Sequence, residues 1–415
     1  VTPSPTLKRA LGGNLCSGCG LCASIGGDAV TMRDVAPGYL RPAQTASLDA
    51  GQEAAVAGAC PAVTVDERPV APGNDQRRGR VAPNDDPLWG PWLSCGTGYS
   101  TDAALRHQAS SGGMISGLLT HALATGQIDF VVQTGADPEA PLANQTRLSP
   151  DAAAIFAAAG SRYTASAPLA ELDRWLAMPG RFAFVGKPCD VTALRAHARS
   201  DPRIDAKVPI MLAFFCAGIP SAAGTRRILA KIDAPEAQVT AFRYRGDGWP
   251  GFATATLKDG TTRRMSYADS WGDILSKEVQ FRCKICPDAV GGSADVAAAD
   301  AWYGDERGYP SFEEQDGRSL VMARTAAGQA LLDGAVAAGA VVTQPLDIGE
   351  IIKMQPSQAR RKRQVVSRLA ALAVAGRPVP RYRGVRLWAA AAREGLPGHA
   401  KSFAGLLRRI MQRRV

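Results

Sequence analysis

Of the nine cysteines in this chain, eight fall into two sets of four, and no other residue type is spaced so suggestively. The first set is Cys16, Cys19 and Cys22, a C-x2-C-x2-C run, joined by a distant Cys60 that precedes Pro61. The second is the C-x2-C pair Cys283 and Cys286, with Cys189 and Cys216 upstream; Cys95 is left over. The chain starts VTPSPTLKRALGG, without the apolar stretch of a secretory signal. In that setting the spacing argues for metal or cluster ligation rather than disulfides.

Bacterial-type ferredoxins use C-x2-C-x2-C-x3-C-P, and in two-cluster versions the Cys before Pro serves the other cluster. Here Cys22 is followed by Ala23, Ser24, Ile25 and Gly26, so the local fourth ligand is missing while a remote Cys60-Pro61 remains. That is the pattern left when one of two clusters is lost and the remote cysteine is kept for the survivor. One [4Fe-4S] cluster on Cys16, Cys19, Cys22 and Cys60 is expected, with a four-thiolate zinc site as the alternative.

The elements around the second set give it meaning. Arg181–Gly186 (RFAFVG) reads as a compact strand, Lys187-Pro188-Cys189-Asp190 as a turn, and Asp190 as the N-cap of a helix over VTALRAHAR. Val208–Phe215 (VPIMLAFF) reads as a second strand ending at Cys216. If the two strands are parallel with the helix as crossover, Cys189 and Cys216 share the carboxyl edge, where open α/β sheets place ligands. A loop over Phe281–Pro287 (FRCKICP) could then bring Cys283 and Cys286 to complete four thiolates. The alternative is two buried core cysteines and an unrelated zinc knuckle.

A third feature could bind an anion. Ser110, Ser111, Gly112 and Gly113 open a helix whose apolar face is Met114, Ile115, Leu118, Leu119, Ala122 and Leu123, with Gly126 as its stop and Ile128–Gln133 as the next strand. Free N–H groups, hydroxyls and room for close approach suit a phosphate; a plain helix cap is the other reading.

The whole chain is 415 residues, 46% hydrophobic and 21% charged, which excludes a disordered regulator, a small disulfide scaffold and a collagen-like repeat. No stretch approaches the roughly 18–20 apolar residues of a membrane span. Residues 1–70 read as a small ferredoxin-like α+β module, with Gly38 and Pro42 in loops and a short helix near Ala54–Ala57. Residues 71–92 read as a linker. Residues 93–350 alternate strands and helices, an α/β core domain with a mixed or parallel sheet. Residues 351–415 form a basic tail with two helical patterns split by GRPVPRYRG. The net charge of +10 resides there: 16 Lys+Arg against Glu394 give +15, while the rest carries 32 against 37, or −5. Nucleic-acid binding is therefore not expected; a tail docking on something acidic, or lying on the acidic body, is.

Six stretches in order resemble the beta subunits of coenzyme F420-reducing hydrogenases and dehydrogenases. They are YSTDAALRHQASSGGMISGLLTHAL (99–123), AAGSRYTAS (158–166), FVGKPCDVTALR (184–195), FFCAG (214–218), FRCKICPDAVGGSADVAAAD (281–300) and DGRSLVMARTAAGQALLDGAVAAGAV (316–341). The resemblance spans about 95–345 and implies FAD and a [4Fe-4S] cluster in this domain, often behind an N-terminal ferredoxin module. It implies Cys189, Cys216, Cys283 and Cys286 as ligands, and Ser110 to Gly113 with Gly160, Ser161, Arg162 and Tyr163 along the flavin. Two positions depart from the pattern. Lys187 stands where small residues are usual, adding a positive charge near flavin or cluster, and the N-terminal module keeps one cluster where some relatives have two.

The histidines show no metal spacing; His107, beside Arg106 and just before the Ser-Ser-Gly-Gly turn, is the single candidate proton donor. Cys95 reads as buried, and Asp295, Asp300 and Trp302 as loop-fixing. The expectation is a cytoplasmic FAD- and iron–sulfur-dependent oxidoreductase with two [4Fe-4S] clusters. It would join a one-electron carrier, ferredoxin or a partner redox subunit, to a two-electron substrate such as the deazaflavin coenzyme. The alternatives are a ferredoxin-dependent reductase of a chlorophyll-type pigment, a non-catalytic electron-transfer subunit, and a zinc-stabilised binding protein. The basic tail could also touch anionic lipid.

Overall fold

The computed structural model describes residues 1–67, 82–304, 311 and 313–412. At its centre is an eight-stranded sheet, whose strands we number in chain order: β1 Ser94–Ser100, β2 Phe130–Ala136, β3 Asn144–Ser149, β4 Phe182–Gly186, β5 Ile210–Phe214, β6 Val296–Asp300, β7 Ser319–Ala323 and β8 Val341–Pro345. Their spatial order is β8-β1-β7-β6-β5-β4-β2-β3. The middle strands β6, β5, β4 and β2 are parallel, and antiparallel strands flank them on both sides. The sheet is thus mixed.

Side-chain alternation explains why its centre is covered on both faces. On β4, Phe182 and Phe184 pack one way, with Val191, Leu194 and Trp175, while Ala183 and Val185 face Met114, Leu118 and Leu332. On β5, Met211 and Ala213 join the first group, Ile210 and Leu212 the second. Strands buried on both faces read as continuous apolar runs, which is what 182–185 and 210–213 are.

The expected crossover is present: β4 and β5 are parallel, joined through the helix Pro188–His197. Its start differs from expectation. Lys187 is the N-cap, Pro188 opens the helix where a missing N–H costs nothing, and Asp190 lies a turn in, its carboxylate accepting from the Lys187 N–H at 2.9 Å. The strand expected at Ile128–Gln133 runs instead over Phe130–Ala136.

Residues 1–67 form three helices (Pro5–Gly12, Leu21–Gly26, Ala50–Ala59), a hairpin of Val30–Val35 with Tyr39–Gln44, and a strand Thr64–Asp66. Gly38 is in the hairpin turn, but Pro42 lies within a strand; in a two-stranded sheet every strand is an edge, where proline is tolerated. Of the expected linker, residues 68–81 lie outside the described residues. Residues 84–92 are a packed hairpin, Asn84–Asp86 with Gly90–Trp92, burying Leu88 and Trp89.

The tail is more elaborate than two helices. Helices Pro356–Arg363, Val365–Val374, Leu387–Ala391 and Leu396–Met411 surround a strand, Arg381–Arg383, that pairs in parallel with Thr64–Asp66 of the N-terminal module. Ala371, Leu372 and Leu406 pack with Leu15, Ala62, Phe281 and Ile285. The last arginines of the expected basic clusters, Arg413 and Arg414, lie outside the described residues.

Candidate functional site

The first cysteine set is gathered by close backbone approach. Gly18 and Gly20 of Cys16-Ser-Gly-Cys-Gly-Leu-Cys22 adopt positive φ, 80° and 87°. A Cβ at Gly20 would meet the Ala170 nitrogen at 2.8 Å, so this loop can lie against the core domain only with glycine there. The neighbouring Leu169 N–H donates to the Cys19 carbonyl at 2.9 Å. Cys60 arrives at the end of helix Ala50–Ala59, capped at its start by an Asp49–Gln52 capping box.

The second set comes from three places. Cys189 is in the first turn of helix Pro188–His197, Cys216 follows β5, and Cys283 and Cys286 flank the end of a single-turn helix, Phe281–Lys284. Gln280 ties the sets together, its amide donating to the Ser17 carbonyl at 3.2 Å with the Cys283 sulfur at 3.6 Å.

Within each set the thiols sense one another. Burial pushes Cys19 up to about 12 and Cys60 up to about 11, and the mutual repulsion of Cys16, Cys19 and Cys60 adds to it. Burial likewise pushes Cys216 up to about 12 and Cys286 up to about 11, with Cys283 adding to both. Sulfurs so placed resist ionising unless a cation compensates them, which is the donor chemistry of a thiolate-bound metal group. Among the described residues no three His, Cys, Asp or Glu side chains converge as ligands of one ion would. Buried or half-buried cations attend both sets: Arg41 and Arg282 act on Cys16, Lys187 on Cys189, and Arg361 on Cys216 and Cys286.

A cavity of about 280 Å³ opens beside the second set, at the lower end of the range for small-molecule pockets. Cys216 lines it, as do Lys187 and Asp190. On the far side are Ser110, Ser111, Gly113 and the first turn of helix Met114–Ala124, for which Gly113 is the N-cap at φ 72°. Gly160, Ser161, Arg162 and Tyr163 line it too.

Their roles separate on inspection. Gly112 is absent from the lining; a Cβ there would meet the Gly98 carbonyl at 2.6 Å and the Ser319 nitrogen at 2.8 Å, so it serves packing against β1 and β7. Ser110 accepts from the Ser161 N–H, and Ser111 donates to the Arg318 carbonyl at 2.9 Å. Arg162 spends its donors on Asn144 (2.9 Å) and the carbonyls of Phe242, Pro141 and Ala143 (2.6–2.9 Å), so it shapes the wall. His107 is exposed and outside the lining, in no position to protonate anything bound there.

Lys187 is 4% exposed, with Nζ 2.7 Å from Asp190 and 3.0 Å from the Ser166 hydroxyl. Burial works against its charge, but the Asp190 carboxylate outweighs it and holds the ammonium well above its usual range. A buried Lys187–Asp190 ion pair therefore forms part of the cavity wall beside Cys216.

The sequence reading passed over the aromatic end of the cavity. Tyr267, Trp271 and Trp302 line it; Trp302 stacks on Trp249 at 4.7 Å and on Tyr267 at 5.5 Å, with Arg245 over both Tyr267 and Trp302. Asp300 fixes this group, accepting from both Arg245 Nη atoms and from Trp249 Nε1 at 2.8–3.0 Å. Asp295 similarly braces Arg195, Thr325 and the Met211 N–H. Aromatic residues scattered from 163 to 302 carry no local motif, and Trp302, read from the sequence as loop-fixing, lines the cavity. Cys95 is half-buried on β1, and burial pushes its thiol up to about 11, which suits an inert position.

Two family models match in tandem: coenzyme F420 hydrogenase/dehydrogenase beta subunit N-term over residues 95–172, and the same subunit's C terminus over 180–348. Among curated proteins, the coenzyme F420 hydrogenase subunit beta of Methanothermobacter thermautotrophicus is 26% identical over 298 residues, 68% of this chain and 95% of that one. Its counterpart from Methanosarcina barkeri is 24% identical over 280 residues, covering 63% and 85%. A chain from the xenon-derivatised F420-reducing [NiFe] hydrogenase complex of Methanosarcina barkeri shares the fold, with a TM-score of 0.53 at 22% identity over 68% of this chain and 96% of that one. The matched segments contain the sheet, the second cysteine set and most of the cavity wall, while the first set and the tail lie outside both models. The chain belongs to the coenzyme F420 hydrogenase/dehydrogenase beta-subunit family, a family of oxidoreductase subunits.

Proposed function

We propose that the chain is an iron–sulfur flavoprotein. It exchanges electrons between a one-electron carrier, ferredoxin or a partner redox subunit, and a conjugated two-electron substrate. The observation that carries this reading is that Cys216 belongs to the second thiol set and also lines the cavity, so a group in the cavity and a group on the thiols share a wall. Cys189, Cys216, Cys283 and Cys286 would hold one [4Fe-4S] cluster, and Cys16, Cys19, Cys22 and Cys60 another. FAD would occupy the cavity, only partly enclosed given the volume. When bound, it supplies the conversion between paired and single electrons.

The chain's own groups fit these roles. Met114, Ile115 and Ser116, the first turn of the helix after Gly113, line the cavity, and a helix start favours a phosphate. Lys187 keeps its charge beside the cavity and so stabilises added negative charge there. Trp302, Tyr267 and Trp271 give this end of the cavity an aromatic wall suited to a conjugated partner, for which the deazaflavin coenzyme is the substrate favoured by the family. No helix among the described residues is long and apolar enough to cross a membrane.

An absorption spectrum tests the reading directly. Flavin bands over a broad cluster shoulder near ~400 nm are expected, and a colourless, zinc-containing protein refutes it. Ser116→Phe, which fills the cavity from the first helical turn without straining the Ser-Ser-Gly-Gly backbone, should leave the cluster shoulder and deplete FAD severalfold. Full flavin occupancy in this variant would move the flavin elsewhere.

The carrier is proposed to dock on the tail's basic face, where Arg360, Lys401 and Arg408 are exposed. Reversing all three to Glu should slow reduction by an acidic carrier severalfold at low salt and flatten its salt dependence, since a Debye length of about 8 Å screens such attraction at physiological ionic strength. An unchanged salt profile would leave the tail without a docking role, and a rate change confined to anionic vesicles would assign it to lipid.

A further inference from the structure

Arg282 immediately precedes Cys283 and is 2% exposed. Its Nη2 donates to the Pro61 carbonyl at 3.0 Å, beside Cys60 of the first set. Among the described residues its Nε and Nη1 are buried without a hydrogen-bond partner. The guanidinium lies over the ring of Tyr382, 5.5 Å from its centroid, on the tail strand that pairs with Thr64–Asp66. N-terminal module, core domain and tail all meet at this one side chain.

A buried guanidinium cannot shed its proton, and two unspent donors in the interior are expensive unless anions face them. Tyr382 is its strongest partner; beyond that, adjacency to Cys283 and the hydrogen bond to the Pro61 carbonyl beside Cys60 bring it to both thiol sets, and its charge acts on Cys189, Cys283 and Cys286 of one set and on Cys16 and Cys60 of the other. Of the other cations, Arg41 acts on Cys16, Lys187 on Cys189, and Arg361 on Cys216 and Cys286. A cation set between two anionic centres stabilises the extra electron on either one.

Building on the two-cluster reading above, we infer that Arg282 is the shared electrostatic partner of both clusters, raising the reduction potential of each. It touches no substrate; it positions charge.

The test is an EPR-monitored redox titration of the loaded full-length chain, wild type beside Arg282→Met, Arg282→Lys and Arg41→Met, with iron content measured for each. Arg282→Met should lower both midpoint potentials, each one-electron equilibrium shifting about tenfold, or about 59 mV. Arg282→Lys should restore most of that shift, and Arg41→Met should move only the first cluster's potential. A potential that stays put in Arg282→Met for either cluster overturns the proposal while leaving the two-cluster reading intact. Loss of iron in both Arg282 variants but not in Arg41→Met also overturns it, making Arg282 a packing residue. A wild type with fewer than two cluster signals overturns the two-cluster reading itself, and this proposal with it.

Discussion

Cys189→Ser is expected to strip the second cluster, leaving about half the iron and the spectrum of the first cluster alone. A hydroxyl is a poorer iron ligand than a thiolate, and the serine would sit in the first turn of helix Pro188–His197 with no freedom to be replaced by another donor. Turnover with an external one-electron carrier should fall by orders of magnitude, because the remaining cluster no longer has a neighbour against the cavity wall. Cys216→Ser should in addition loosen the flavin, since that residue lines the cavity. Cys95→Ser should leave iron, flavin and rate unchanged. Equal iron in the Cys189 and Cys95 variants would refute the ligand assignment.

Ending the chain at Gln355 should yield insoluble or cluster-free protein, a far larger effect than loss of a docking surface. Leu372 and Leu406 are 0% and 1% exposed and pack on Phe281, just before the C-x2-C pair, and on Ile285 within it. Arg361 donates to the carbonyls of Cys216 and Ala217, Arg368 to that of Lys284, and Tyr382 to that of Ile285. The single change Leu406→Ala should cost about 2–5 kcal/mol, a large share of the roughly 5–15 kcal/mol that holds a domain folded. Thermal melts of the loaded protein measure it. A full-length melting temperature in Leu406→Ala would mean the tail does not brace the core.

How legible all this was depended on whether the signal was local. The strands 182–186 and 210–214 and the crossover between them are written in two short apolar runs around a Pro-containing turn, and their parallel pairing follows from the handedness and length of the connection. The cysteine spacing exposed both sets for the same reason. The helix start was misplaced by three residues because Asp190 is a good N-cap by type, but Pro188 already fixes the turn and a buried Lys187 claims the carboxylate. Arg162, placed along the flavin by the resemblance, does line the cavity, but its four hydrogen bonds to Asn144, the 141–143 loop and the Phe242 carbonyl go to partners that no local pattern reveals. Charge alone left the tail either docking on something acidic or lying on the acidic body. Its residues Leu369, Leu372, Leu406 and Leu407 instead pack against the N-terminal module and the C-x2-C segment, a contact between distant parts of the chain and beyond the reach of any local pattern.

The pairing of Arg381–Arg383 with Thr64–Asp66 also sets an order of events during synthesis. Chains emerge N-terminus first and their early domains tend to fold as they appear. Here the strand that follows Cys60-Pro61 has no strand partner until nearly the last segment has been translated, a contact of very high sequence separation. The module's final pairing therefore waits until the core domain has been made. With Cys16, Cys19, Cys22 and Cys60 as the proposed ligands, cluster delivery to them would fall to the finished chain.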